Sequence, residues 1–66
     1  MNKVDYRDFE GNSFKKQLAY YNRTFLIGYY NFMSGAEKFE VVKEGKIWEF
    51  SSLVDACNKF NEVSGV

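Results

Sequence analysis

The eight residues from Thr24 to Asn31, TFLIGYYN, carry no charge. They lie inside a ten-residue run, Arg23 to Phe32, in which four side chains are aromatic. Aromatic and β-branched residues at this density suit a strand with at least one covered face. The rest of the chain must therefore supply the cover, and it has little material with which to do so. Sixty-six residues make one domain, and a chain of that size buries only about 60% of its unfolded surface. With one cysteine and no histidine, an internal disulfide is impossible and a Cys/His zinc site is excluded. Seven Phe, five Tyr and one Trp point instead to stabilisation by packing, because each ring removes a large area from water.

The pattern around this run predicts two further strands. KFEVVKEGKIWEF, Lys38 to Phe50, reads as a hairpin with two possible turns. A two-residue loop at Glu44-Gly45 sets Val41 opposite Trp48 and Phe39 opposite Phe50, giving one apolar side. A three-residue loop, Lys43 to Gly45, sets Phe39 opposite Glu49 and splits that set. Glu is a poor first residue for the tight primed turn. A one-residue slip, however, sends a whole strand face from core to solvent, so the side-chain pattern favours the two-residue loop. A first strand over about residues 24–32 then turns at Ser34-Gly35 into the second. Leu26, Tyr30 and Phe32 share a face with Phe39 and Val41. Phe25, Ile27 and Tyr29 point the other way, beside Val42 and Ile47. Gly28 permits close approach by a helix or by a large side chain such as Trp48.

Two helices are expected at the ends. SSLVDACNKFNEV places Leu53, Ala56, Cys57, Phe60 and Val63 or its neighbour on one face of a helix over about residues 52–63. Ser52 is positioned to cap it, Asp55 follows at capping-box distance, and Gly65 suits the stop. Ser13 to Asn22 reads as a second helix, with Phe14, Leu18 and Tyr21 at i, i+4 and i+7. Residues 3–9 are ambiguous between a short strand and a helical turn. The expected architecture is α+β, a three-stranded antiparallel meander with an N-terminal and a C-terminal helix in αβββα order.

Few residues offer chemistry. Histidine, the usual general base near neutral pH, is missing, so no catalytic residue is assigned and the chain is expected not to be an enzyme. Cys57 sits on the apolar face of the last helix, where a thiol is structural and not nucleophilic. Asp5, Asp8 and Glu10 form an acidic cluster, but without the dense alternation of oxygen ligands found in calcium loops. They read as a solvated segment, and no metal or cofactor is expected. Glu40 and Glu49 face each other in the two-residue register, which an exposed sheet face explains. The glycines stand singly and form no phosphate cradle.

The net charge is zero. Residues 1–33 hold five basic and three acidic side chains, and residues 34–66 hold four and six. That spread makes a weak electrostatic case for nucleic acid or an anionic membrane. The predicted element order resembles that of double-stranded RNA-binding domains. Those domains carry a lysine-rich patch at the start of the final helix, where this chain has SSLVDAC. A nucleic-acid interface would have to use Lys15, Lys16 and Arg23, on or beside the first helix. The single thiol and the lack of a signal-type apolar run fit a reducing cytoplasm. The richness in Phe, Tyr, Asn and Lys suits a small bacterial chain encoded by a phage or mobile element.

The leading functional expectation comes from the sheet. With the helices on opposite faces, or the N-terminal segment folded across the second face, nothing is exposed and the strand is fully buried. With both helices on one side, Phe25, Ile27, Tyr29, Val42 and Ile47 would meet water, and a contiguous exposed apolar patch marks an interface. The chain is therefore expected to be a protein-interaction module, a regulator or inhibitor that masks a partner's surface. A second copy of itself is the simplest partner.

Overall fold

The computed structural model describes residues 1–9, 16–30 and 33–66, without the side chain of residue 16. Four strands, β1 Lys16–Tyr21, β2 Thr24–Tyr30, β3 Glu37–Lys43 and β4 Lys46–Phe50, precede one helix, α1 Leu53–Ser64. A short 3₁₀ turn, Tyr6–Phe9, lies near the N-terminus. The strands form one antiparallel sheet in sequence order, β1-β2-β3-β4. Helix α1 packs on one face of it.

This corrects the expected αβββα order: the sheet has four strands and the described residues contain one α-helix. The described part of the segment read as a first helix is β1 and its turn. Phe14 lies outside the described residues. The misreading has a physical cause in a β-bulge. The register of β1 against β2 shifts between Gln17 and Ala19. Leu18, Ala19 and Tyr21 all pack on the core side, while Tyr20 stands opposite Phe25 and is 49% exposed. A bulge breaks the period of two that marks a strand, and what remains imitates helical spacing.

Both tight hairpins use two-residue turns with positive φ at each centre. Asn22 and Arg23 have φ of 49° and 60°, and Glu44 and Gly45 have 48° and 84°. These are the values of a primed turn, whose twist matches that of the flanking strands. Each turn holds one member of the preferred Asn-Gly pair. The β3–β4 register is the one the side-chain pattern favours, with Phe39 opposite Phe50 and Val41 opposite Trp48.

The core lies between α1 and the face carrying Leu26 and Val41. These two residues pair directly across β2 and β3, and both are fully buried, as is Phe60 of α1. Ala19, Phe39, Ala56 and Cys57 complete the cluster. Of the other residues expected on this face, Tyr30 is partly exposed and Phe32 lies outside the described residues. Gly28 stands opposite Phe39. A Cβ there would come 3.2 Å from Leu18 Cδ1 and 3.6 Å from the Phe39 ring. The large neighbours of Gly28 are thus Leu18 and Phe39, not Trp48.

Helix α1 is fastened at both ends. Ser52, in extended conformation, accepts a hydrogen bond from the Asp55 N–H through its side chain. At the other end Gly65 adopts the left-handed conformation, φ 79°. The last turn of α1 contains no basic residue, and the sheet supplies the missing donors. Asn22 Nδ2 donates to the Ser64 carbonyl at 2.8 Å, and Lys43 Nζ donates to the Val63 carbonyl. Cation and amide meet the negative end of the helix, where both are favourable. The N-terminal segment joins the same side: the Asn61 amide accepts from Val4 N–H and donates to Val4 C=O, each at 2.9 Å.

Asn22 therefore has two tasks, holding a left-handed turn position and binding the helix end. Asn22→Gly keeps the turn and loses the bond, and should cost about 1 kcal/mol. Asn22→Ala loses the bond and adds left-handed strain of about 1 kcal/mol or more. Urea unfolding of the two variants should rank alanine below glycine. Equal midpoints would show that the turn contributes nothing beyond the hydrogen bond.

Candidate interaction surface

The opposite face of the sheet is covered by no described element. Its side chains are set by register alone, because neighbours across an antiparallel pair share a face. Tyr20, Phe25, Val42 and Ile47 are successive partners on β1, β2, β3 and β4. They form one apolar row across the whole sheet. The Tyr20 and Phe25 rings lie 4.8 Å apart at an interplanar angle of 49°. Ile47 is 59% exposed, and Phe25 and Val42 are half-buried.

A second row, further from the two tight turns, holds Gln17, Ile27, Glu40 and Glu49. A third holds Tyr29 and Lys38. Polar groups in these rows are linked to one another. The Tyr29 hydroxyl donates to Glu40 Oε1 at 2.6 Å. Lys38 Nζ lies 3.1 Å from Glu49 Oε1 and 3.5 Å from Glu40 Oε2, so one ammonium bridges the two facing carboxylates. The hydrogen bond to Glu40, aided by burial and by the charge of Glu40, raises the Tyr29 pKa. Glu49, the first partner of Lys38, raises the lysine pKa. The face thus grades from apolar at one end to a linked polar network at the other.

All five residues expected at an interface, Phe25, Ile27, Tyr29, Val42 and Ile47, lie on this one face. Tyr20 belongs with them and was not anticipated, since its segment read as helix. The adjacent Tyr20-Tyr21 pair, with its high strand preference, was the available signal. The basic residues considered for nucleic acid do not form a helical patch. Arg23 is an exposed turn residue, Lys16 begins β1, and Lys15 lies outside the described residues. The four-stranded order also removes the resemblance to double-stranded RNA-binding domains.

Other chemical groups are engaged elsewhere. Asp5 accepts hydrogen bonds from Arg7, chief among them those of its side chain, and this holds the carboxyl below its usual range. Asp8 accepts from the Asp5 N–H, and Glu10 lies outside the described residues. No group of three or more His, Cys, Asp or Glu side chains among the described residues could hold a metal ion. A shallow hollow of about 370 Å³ lies beside Trp48, lined by Lys43, Glu44, Lys46 and Val63. Lys43 there is tied to the helix end, and Lys59, 5.5 Å from the Trp48 ring centre, pairs with Glu62. No helix among the described residues is long and apolar enough to cross a membrane. No protein-family model matches the chain, and comparison with curated proteins and with solved structures finds no significant match.

Cys57 is 2% exposed. Burial pushes its thiol from the ordinary value of 9.0 up to about 11, with the Asp5 and Asp8 charges adding to the effect. A raised folded pKa contributes stability below the unfolded value and loses it as pH climbs through the folded one. Tyr29 and Lys38 act in the same direction. Stability should therefore fall from about pH 9 towards pH 11, and Cys57→Ala should flatten part of that decline. Near neutral pH a thiol reagent should label the native chain far more slowly than the urea-unfolded chain. Equal labelling rates would contradict the burial.

Proposed function

We propose that this chain is a non-enzymatic protein-interaction module that acts by masking a partner's surface, as a small regulator or inhibitor does. The observation that carries the reading is the one-sided sheet. One face holds the core and α1, while the other presents the Tyr20, Phe25, Val42 and Ile47 row to solvent among the described residues. Contiguous apolar surface of this kind favours association, by about 25 cal/mol per Å² buried, less the entropy lost on docking.

A protein partner fits better than nucleic acid because of the charges on the face. Lys38 is outnumbered by Glu40 and Glu49, which leaves one net negative charge beside the apolar row, and phosphates would be repelled there. A binding role fits better than catalysis because the one thiol is buried and its pKa is raised, whereas reactive thiols need the reverse. A cytoplasmic setting and an origin in a phage or mobile element belong to this proposal and rest on composition.

The test compares two adjacent residues on opposite faces. Ile27→Asp places a charge on the open face and should keep the melting transition, with a loss of about 1 kcal/mol or less. Leu26→Asp buries a charge in the core and should leave the chain unfolded, as shown by circular dichroism. If both variants unfold alike, the second face is also core and the interaction reading fails.

A further inference from the structure

The two edges of the sheet differ, and one of them is built to accept another strand. Resting on the interaction reading above, we infer that β4 is the docking edge for an extended peptide segment of the partner. The segment adds to the sheet as an antiparallel strand and carries basic, apolar and apolar residues in succession opposite Glu49, Trp48 and Ile47.

Strands β1 and β4 each have one neighbour in the sheet. An edge strand exposes a row of backbone groups that can pair with another chain, and a bulge blunts it. β1 has such a bulge, between Gln17 and Ala19. β4 pairs with β3 in unbroken register along its whole length. The tight turn makes Lys43 and Lys46 a hydrogen-bonded pair. By alternation Val41 with Trp48 and Phe39 with Phe50 are bonded too, while Ile47 and Glu49 turn their N–H and C=O away from β3. No strand among the described residues pairs with that side. Charge also blunts edges, but here it stands aside. Lys46 is the first residue of β4, and Glu49 is held by Lys38 of β3 at 3.1 Å. The middle of the edge, Ile47-Trp48, is uncharged.

The side chains along β4 state what the added strand carries. The residue opposite Ile47 falls on the open face, where Ile47 is 59% exposed. An apolar side chain there lengthens the Tyr20, Phe25, Val42 and Ile47 row by one member. The residue opposite Trp48 points to the helix side. Trp48 is only half-buried there, and the hollow of about 370 Å³ lies between it and Val63 of α1. A second apolar side chain fits against the ring at the mouth of that hollow. The residue opposite Glu49 returns to the open face. Lys38 offsets one of the Glu40 and Glu49 charges, so a lysine or arginine there meets the one that remains. Because the segment runs antiparallel to β4, its order from the N-terminus is basic, apolar, apolar.

In strand addition the main-chain bonds give affinity and the alternate side chains give specificity. So few residues bury well under about 1,200 Å², the range of transient pairs, and a Kd of about 100 μM is expected.

The experiment titrates the full chain, labelled with nitrogen-15, with the synthetic peptide TKLVT, acetylated and amidated at its ends. Its lysine, leucine and valine then lie opposite Glu49, Trp48 and Ile47. At about 1 mM peptide, ten times the expected Kd, amide exchange with water at Ile47 and Glu49 should slow by about tenfold. The valine N–H points at β4 and the leucine N–H points away. Methylating the valine nitrogen should therefore weaken binding by about tenfold or more, and methylating the leucine nitrogen should leave it unchanged. Exchanging the lysine for glutamate should also weaken it by about tenfold. If the two methylated peptides bind alike, the backbone of β4 is not being read and strand addition is overturned. Shifts confined to Tyr20, Phe25 and Val42 would seat the peptide on the open face and overturn the edge. Slow exchange at Ile47 and Glu49 without peptide, growing with protein concentration, would put a second copy there and overturn a separate partner. Absence of any saturable change at about 1 mM peptide would overturn the proposal outright. None of these results touches the interaction reading, which stands or falls on the Ile27→Asp and Leu26→Asp comparison.

Discussion

The packing of Phe60 against the Leu26–Val41 pair is the contact on which the rest of this molecule depends. All three side chains are fully buried, and they come from the only described α-helix and the two central strands. The chain is too short to provide a second layer of comparable size, and it lacks the disulfide that small domains use to constrain the unfolded state. The helix is therefore held by more than its apolar face. Ser52 caps its start, and the sheet itself closes its end through Asn22 and Lys43. A hairpin turn and a strand residue thus act as the C-terminal cap, coupling formation of the sheet to docking of the helix.

That economy shapes the surface. A single described helix covers a single sheet face, and with strands whose side chains alternate, the side chains pointing the other way are covered by no described element. The sheet handles its outer face unevenly. Near the tight turns it carries rings and branched aliphatics. Further along, two glutamates that would repel each other are joined by Lys38, and one is bonded by Tyr29. The network offsets one of the two carboxylate charges of that end and leaves one net negative charge. The gradient along the strands gives the face a direction, and a surface with a direction restricts how any partner sits on it.

The same arrangement explains why the other chemical groups are silent. Cys57 is part of the helix seat, and its thiol is the more inert for it. Asp5 is occupied by Arg7. Lys43, which lines the hollow beside Trp48, serves the helix end, and Lys59, near the Trp48 ring, serves the Glu62 carboxylate. The open sheet face is the one extended described surface whose character the fold does not use up.

Much of this was legible in the sequence, and the limits have physical reasons. The helix from Leu53 was readable because its apolar spacing, its Ser52 cap and its Gly65 stop are all local. The β3–β4 register was readable because only one pairing puts Phe39, Val41, Trp48 and Phe50 on one side. The division of β2 into an inward Leu26 and an outward Phe25, Ile27 and Tyr29 followed from alternation. Strand β1 was not readable. Its bulge puts Leu18 and Ala19 on the same side, and a strand, unlike a helix, is completed only by bonds to a neighbour distant in sequence. The turn at Asn22-Arg23 carried half of a hairpin signature and no glycine, too little to outweigh the apparent helical spacing. The sequence alone determined which residues seek burial and where the chain turns. Tertiary structure alone decided that Lys16–Tyr21 would be a strand and that one helix would cover one face, because both depend on long-range pairing and on how much surface so short a chain can bury.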